Sequence, residues 1–387
     1  MNKTVSLGDT IHQTCPRENG DTRYKIGGEE MKIGIIGMPL TGKTTLFNLL
    51  TGQYKEVSAF SSKGTKNIGI ATVYDQRVDF LSSLFTPKKT TYATIEFIDI
   101  GGISPELPSK EKAEIFNFIQ DVDALLFAIR LFEDPAVAGE KDPVVQVENL
   151  RYELLLRDLE VVENRLGRLK RSKKELTHEE LMEEEILKKC NQYLSDDKFL
   201  SNFEFTEDEI KRISSFSFYT LKPIIIALNL SEEQFRSNVF PRKEELNQLI
   251  KENNMVNIDI CGKMEMEISQ LEPEERQVFL GDLGLKESGI ERLCGIGYEH
   301  LGLISFFTVV KDEVRAWTIK KGTHAVKAAG KVHSDIERGF IRAEIASYQD
   351  LVTLGSMHTV KEKGLLKIEG KDAIIEDGDI INFRFNV

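Results

Sequence analysis

The chain has 387 residues, 41% hydrophobic and 29% charged, and a net charge of −12 at pH 7. That length provides for two or three domains and an ample core. The lack of any apolar run of about eighteen residues excludes a transmembrane helix, and the acidic balance excludes binding to nucleic acid through bulk charge.

The charge is uneven. Ser305 to Val387 hold 13 Lys+Arg and 12 Asp+Glu, so this segment carries +1 and the rest −13. The C-terminal part is therefore the better approach to an anionic partner. Cys15, Cys190, Cys261 and Cys294 are far apart and form no CxxC pair. That usage fits a reducing cytosol rather than a disulfide framework or a zinc site.

Residues 1–30 are polar and lack the apolar segment of a signal peptide. They read as a disordered leader or as a short arm. Gly27-Gly28-Glu29-Glu30, just before Met31, can be encoded by purine-rich codons resembling a bacterial ribosome-binding site. Met31 is accordingly a second candidate for the start.

From Met31 the pattern sharpens. Lys32 to Gly37 (KIGIIG) predicts a buried strand. A turn follows, then a short helix over Thr44 to Gly52. Ala71 to Asp75 predicts a strand, Val78 to Phe85 a helix, and Thr94 to Ile100 (TIEFIDI) another strand. Ala124 to Phe132 and Pro223 to Leu230 read as central strands of a doubly wound α/β sheet.

Between these last two lies an insert over residues 142–216. Leu155, Leu159, Val162, Leu166 and Leu169 repeat at 4-3-4-3 spacing, and a second helical run covers Glu179 to Leu194. Two long helices joined by KRSKKELTH predict an antiparallel coiled-coil hairpin. It is open whether this is a partner-binding arm or a solvated structural insertion. Glu272 to Leu303 reads as helical, leading to a strand-rich last domain that starts at ISFFTVV. Asp377-Gly378-Asp379 marks the turn before the final strand. The expected divisions are 31–141 and 217–303 for a nucleotide-binding domain in two parts, 142–216 for the insert, and 304–387 for the last domain.

The chemistry concentrates in Gly37-Met-Pro-Leu40-Thr41-Gly42-Lys43-Thr44, which matches G-x-x-x-x-G-K-[ST] at every defined position. Glycines let backbone N–H groups curl round a β-phosphate, and the following helix presents its positive end. Lys43 would reach the β- and γ-phosphates, the Thr44 hydroxyl would ligate Mg²⁺, and Thr45 would complete the cradle. Asp99-Ile-Gly-Gly102 reads as a plain turn or, beside a P-loop, as an Mg²⁺-site carboxylate followed by an amide for the γ-phosphate.

Asn229-Leu230-Ser-Glu232 leaves an apolar strand where such sheets bind ligands. GTPases place N-K-x-D there, and its Asp reads guanine N1 and N2. With Glu232 able to swing aside, Leu230 packing on the ring and Asn229 reading N6 and N7, adenine fits better. Cys261-Gly262-Lys263, one strand later, is a weak base-loop signal.

Here the sequence resembles the YchF/Obg-like ATPase family, over about Met31 to Val387. The most specific pieces are EVRAWTIKKGT (Glu313 to Thr323), AAGKVHSDIERGFIRAE (Ala328 to Glu344) and KIEGKDAIIEDGDIINFRFNV to the end. The resemblance implies a P-loop NTPase domain, a coiled-coil insert and a C-terminal ubiquitin-like (β-grasp) TGS domain. It also implies Asn-x-x-Glu with ATP preferred over GTP, Mg²⁺, and a cytoplasmic monomer associated with ribosomes. The TGS domain and the coiled coil are the surfaces open to RNA.

The chain departs from the family pattern in places. Leu40 and Thr41 stand where members usually have Asn and Val, and that Asn is linked to potassium-assisted hydrolysis. The switch I stretch is SSKGTKNIG (Ser61 to Gly69). It keeps Asn67 and Gly69 but puts Ser62 or Lys63 at the Thr position, and Thr65 could serve only with a shifted loop. Ile103 after Gly102 leaves no Gln to orient water. Three readings stand: a slow ATPase, a nucleotide-dependent module with little hydrolysis, and a GTP-binding protein. His324 and His333 read as turn and surface residues, and Trp317 as core.

Overall fold

A computed structural model describes residues 31–53, 66–133, 140–172 and 174–386. The expected switch I Thr substitutes, Ser62, Lys63 and Thr65, lie outside the described residues, as does the leader.

In chain order the fold begins with β1 (Met31–Ile36), α1 (Lys43–Thr51), β2 (Asn67–Val73), α2 (Gln76–Phe85), β3 (Lys89–Thr91), β4 (Ala93–Asp99), α3 (Ser109–Phe118) and β5 (Ala124–Arg130). The helical insert follows as α4 (Pro143–Lys170), α5 (His178–Ser195) and α6 (Glu207–Ile213). The chain returns through β6 (Ile224–Asn229), α7 (Glu232–Ser237), α8 (Lys243–Glu252), β7 (Val256–Ile260), α9 (Gly262–Gln270), α10 (Pro273–Asp282) and α11 (Gly289–His300). It ends with β8 (Leu303–Val309), β9 (Glu313–Lys320), α12 (Ala325–Val332), α13 (Ser334–Arg338), β10 (Phe340–Ser347), α14 (Tyr348–Leu354), α15 (Met357–Glu362), β11 (Lys367–Glu369) and β12 (Asp379–Phe385).

The first sheet has the order β2-β4-β1-β5-β6-β7. All its pairings are parallel except β2 against β4. Alternate residues face opposite ways along a strand, so the sheet feeds two cores. Ile33, Ile35, Leu126 and Ala227 pack with α1 residues Leu46 and Phe47. Ile36, Phe127, Ile129 and Leu228 pack on the other face with Phe116 of α3 and Val147 of α4.

β2 differs from the expected strand at 71–75, starting at Asn67 and ending at Val73. It is an edge strand with Ile68 and Ile70 exposed and Gly69, Ala71 and Val73 buried, so its early half turns only a glycine and an alanine to the core. Asp75 instead caps α2, accepting from the Arg77 backbone N–H.

α4 runs antiparallel to α5, because Arg165 bonds Glu183 just before the connection. Its first half does not project. Val144, Val147, Leu150 and Leu154 are buried in the same core as Ile129 and Leu228. Asp158 anchors the middle of α4, accepting hydrogen bonds from the backbone N–H groups of Tyr219 and Thr220 and from the Thr220 hydroxyl.

The second sheet has the order β11-β10-β12-β8-β9-β3. β3 comes from the N-terminal half, and its Lys89-Thr90-Thr91 pairs in parallel with Glu313-Val314-Arg315. The two sheets also share apolar packing: Phe307, Val314 and Ile380 belong to the same core as Phe97 and Leu126. Trp317 is half-buried, stacked 6.4 Å from Phe306 with the Arg315 guanidinium 4.0 Å over its ring.

Candidate nucleotide site

The site forms where β1, β4, β6 and β7 end on one edge of the first sheet. The turn after β1 is tight for reasons visible atom by atom. A Cβ on Gly37 would fall 2.6 Å from the Ala128 carbonyl oxygen, and one on Gly42, at φ +93°, 2.4 Å from Asn229 Nδ2. Only glycine fits these positions. Leu40 sits at φ +63° and is 39% exposed, a conformation that Asn tolerates better than Leu.

Thr41 Oγ1 donates to the Met38 carbonyl at 3.1 Å, and Lys43 Nζ donates to the same oxygen at 2.7 Å. Lys43 is nearly buried, and burial lowers its ammonium to about 8 against the pull of Asp99. The first helical turn then presents Thr44, whose Oγ1 donates to Asp99 Oδ2 at 3.1 Å. Asn67 Nδ2 donates to the same carboxylate oxygen at 3.3 Å. Burial pushes the Asp99 carboxyl above its ordinary range, while Asn67, Lys43 and Thr44 oppose the shift. Its other oxygen, Oδ1, is buried without a hydrogen-bond partner among the described residues. A buried, unpaired carboxylate oxygen is costly unless it meets a cation or donor. The hard oxygen donors Thr44 and Asp99 therefore fit Mg²⁺.

Gly102 is pressed against the P-loop, since a Cβ there would lie 2.7 Å from the Pro39 nitrogen. The next residue, Ile103, is 1% exposed and donates its N–H to the Gly37 carbonyl at 2.9 Å.

At the base end, Asn229 is 5% exposed and tied at both ends of its amide. Nδ2 donates to the Thr41 carbonyl at 3.2 Å, and Oδ1 accepts from the Gly262 N–H at 3.1 Å. One Nδ2 hydrogen remains, which suits an N7 acceptor. The carbonyl expected to read N6 is already engaged with Gly262. Leu230 corrects another expectation. It is 2% exposed, packs in the core with Ile36, Leu228 and Phe240, and donates its N–H to the Ile260 carbonyl at 2.8 Å. It presents no open face to a base ring. Glu232 is the accessible member of that motif, and Lys263 Nζ donates to its Oε1 at 3.0 Å.

The structure thus gathers Gly37, Leu40, Thr41, Gly42, Lys43, Thr44, Asp99, Gly102 and Asn229 along one edge. Thr45 faces the base loop, with its Cγ2 3.7 Å from where a Gly262 Cβ would stand. Reading by motif placed Asn67 in the switch I stretch and Lys263 in a weak base-loop signal, without assigning either a partner. The signal for each was adjacency: Asn67 opens the strand paired opposite Asp99, and Lys263 follows the glycine that Asn229 holds.

The chain is similar to known proteins over most of its length. The ribosome-binding ATPase YchF of Bacillus subtilis is 40% identical over 364 residues, covering 92% of this chain and 99% of that protein. The chain belongs to the YchF family. The Mycoplasma genitalium YchF is 37% identical, with 92% of this chain and all of that protein covered. The solved structure of the Schizosaccharomyces pombe YchF GTPase superposes with a TM-score of 0.81 at 29% identity, covering 92% of this chain and 98% of that one. A family model described as a 50S ribosome-binding GTPase matches residues 32–165 of this YchF-family chain. The model of the YchF GTPase C-terminal region, described only as a protein of unknown function, matches residues 303–386.

Proposed function

We propose that this YchF-family protein binds ATP with Mg²⁺, hydrolyses it slowly and acts with ribosomes in the cytoplasm in a nucleotide-dependent way. The observation that carries the reading is the Thr44–Asp99 contact at 3.1 Å beside Lys43, with Asp99 Oδ1 left unpaired. The P-loop amides and Lys43 would hold the phosphates. Thr44 and Asp99 would hold the Mg²⁺, which neutralises charge developing on the phosphate oxygens. Slowness follows from Ile103, an apolar, buried residue where Ras-like enzymes place a water-orienting Gln. The bacterial relatives are named ribosome-binding ATPases, which supports both the base and the partner assigned here.

In this reading residues 31–141 and 217–303 make the nucleotide domain. Residues 142–216 make a coiled-coil arm, and 304–387 an RNA-facing TGS module. Support for the module is its strand order, β9-β8-β12-β10-β11 with α12 on one face, as in ubiquitin-like β-grasp domains. Support for the arm is the basic group Arg168, Lys170, Arg171 and Lys174 at its exposed end, suited to phosphates. No helix among the described residues is long and apolar enough to cross a membrane.

Single-turnover hydrolysis of Mg-ATP tests the chemistry. The native protein should exceed a Lys43→Ala variant, and equal rates would leave a binding module without hydrolysis. Competition of ATP and GTP for one fluorescent nucleotide tests the base, and tighter GTP binding overturns the ATP assignment. Co-sedimentation with ribosomes should differ between ATP and ADP.

A further inference from the structure

The exits of β6 and β7 are joined by three successive bridges. Leu230 N–H reaches the Ile260 carbonyl at 2.8 Å, Gly262 N–H reaches Asn229 Oδ1 at 3.1 Å, and Lys263 Nζ reaches Glu232 Oε1 at 3.0 Å. The first two fix the backbone that carries the third. A Cβ on Gly262 would stand only 3.2 Å from Asn229 Oδ1, so the loop lies close against the end of β6. Lys263 is therefore delivered to Glu232 by the same contacts that hold the base end of the site.

That contact has unequal consequences for the two purines. Guanine offers two adjacent donors, N1–H and the N2 amine, and a carboxylate meets both when its two oxygens are presented side by side to them. Adenine has no donor at N1 and none at C2. An ammonium on Oε1 turns that oxygen towards itself and sets a donor beside guanine's donors. It takes nothing from adenine.

We propose that Lys263 is the positioning residue that sets the preference for adenine over guanine, by occupying one oxygen of Glu232. The proposal rests on the nucleotide-site reading above and adds to it the residue that disables guanine recognition. It also makes Glu232 a conditional guanine reader, held in check by a neighbour on the next loop.

The test is equilibrium binding of Mg-ATP and Mg-GTP to the full chain and to Lys263→Met, Lys263→Arg, Glu232→Ala and the Glu232→Ala/Lys263→Met double variant. Lys263→Met should tighten GTP by about three- to fivefold, the scale of an exposed ion pair, and leave ATP within about twofold. Lys263→Arg should keep the native ratio. In the double variant the lysine substitution should have no further effect on the ratio. Raising salt should move the native ratio towards that of Lys263→Met, because exposed charges are screened. An unchanged ratio in Lys263→Met, or one that moves further towards ATP, overturns the proposal. If Glu232→Ala moves the ratio while Lys263→Met does not, only the lysine's role falls. If Glu232→Ala leaves the ratio where it was, Glu232 does not face the base, and the base-site reading falls with it.

Discussion

Replacing Asn229 with alanine is the sharpest test of how the site is assembled, because one side chain joins its phosphate end to its base end. The amide bonds the Thr41 carbonyl at 3.2 Å and the Gly262 N–H at 3.1 Å, and Thr41 and Asn229 are 2% and 5% exposed. Alanine would leave a buried acceptor and a buried donor without partners. Each such group costs about 1–3 kcal/mol, so the pair amounts to about 2–6 kcal/mol. Water relieves part of this if it enters beside Gly42. Asn229→Asp makes a second, more pointed case. Its Oδ1 can still accept from Gly262, but its other oxygen now faces the Thr41 carbonyl, so repulsion replaces a bond on the P-loop side alone. Both variants should lower the urea midpoint of the first unfolding transition. Both should weaken ATP binding by at least tenfold in calorimetric titration, because the loops must be ordered at the moment of binding. Asn229→Ala with midpoint and affinity unchanged would refute the claim that this residue joins the two loops.

Further predictions concern single groups. Lys43 at about 8 lies below its ordinary 10.5, so between those values the unfolded chain holds a proton that the folded chain does not. The stability of nucleotide-free protein therefore rises as pH goes from 8 towards 10.5. A triphosphate selects the ammonium, so ATP binding at pH 9 should take up a proton, read by calorimetry in two buffers of different ionisation enthalpy and absent in Lys43→Met. Asp99→Asn should lower the Mg²⁺ affinity of the ATP complex about 10- to 100-fold, measured by metal titration at fixed ATP. Asp158→Ala removes three hydrogen bonds to a buried carboxylate and should cost about 3 kcal/mol, with cleavage near Tyr219 in limited proteolysis as its local sign. Burial raises Asp158 to about 6. Its protonation therefore favours the fold below about pH 4, and that contribution fades as pH rises through 6; Asp158→Asn should flatten the slope of stability in that window. Arg77→Ala breaks partly exposed pairs with Asp75 and Asp377 and should cost about 1 kcal/mol, seen as a loss that shrinks in high salt.

The P-loop was legible because its requirements are consecutive in sequence: glycines where backbone must pack closely, a lysine, a hydroxyl, then a helix. Asp99 was legible for a similar reason, standing at the end of an apolar strand. What escaped were partners brought together by pairing. Asn67 lies opposite Asp99 only because β2 runs antiparallel to β4, and no local pattern encodes that. β3 was unreadable on its own, since Lys-Thr-Thr carries no apolar signal and its partner strand is over two hundred residues away, Thr91 bonding Glu313 across 222 positions. The misreading of Leu230 has the same root. An Asn-x-x-Glu spacing gives positions but not directions, and the Leu230 backbone is turned by its bond to Ile260 so that the side chain enters the core. The heptad rhythm in α4 found the helix but not its dual role, because residues buried on the sheet and residues buried on α5 repeat with the same spacing.

The pairing that hid these residues also joins the candidate site to the second sheet. β2 starts at Asn67, bonded to the Asp99 carboxylate, and leads within two residues of its end to Asp75. Arg77 there holds Asp75 on one side and Asp377 on the other, the latter at 2.6 Å. Asp377 in turn accepts from the Ser305 N–H at 2.9 Å at the head of the second sheet. β3 lies beside β9 in that sheet and is separated from β4 by a single residue. Two short, stiff connections thus run from the strands flanking Asp99 into the C-terminal sheet, and they enter it at neighbouring strands, β8 and β9.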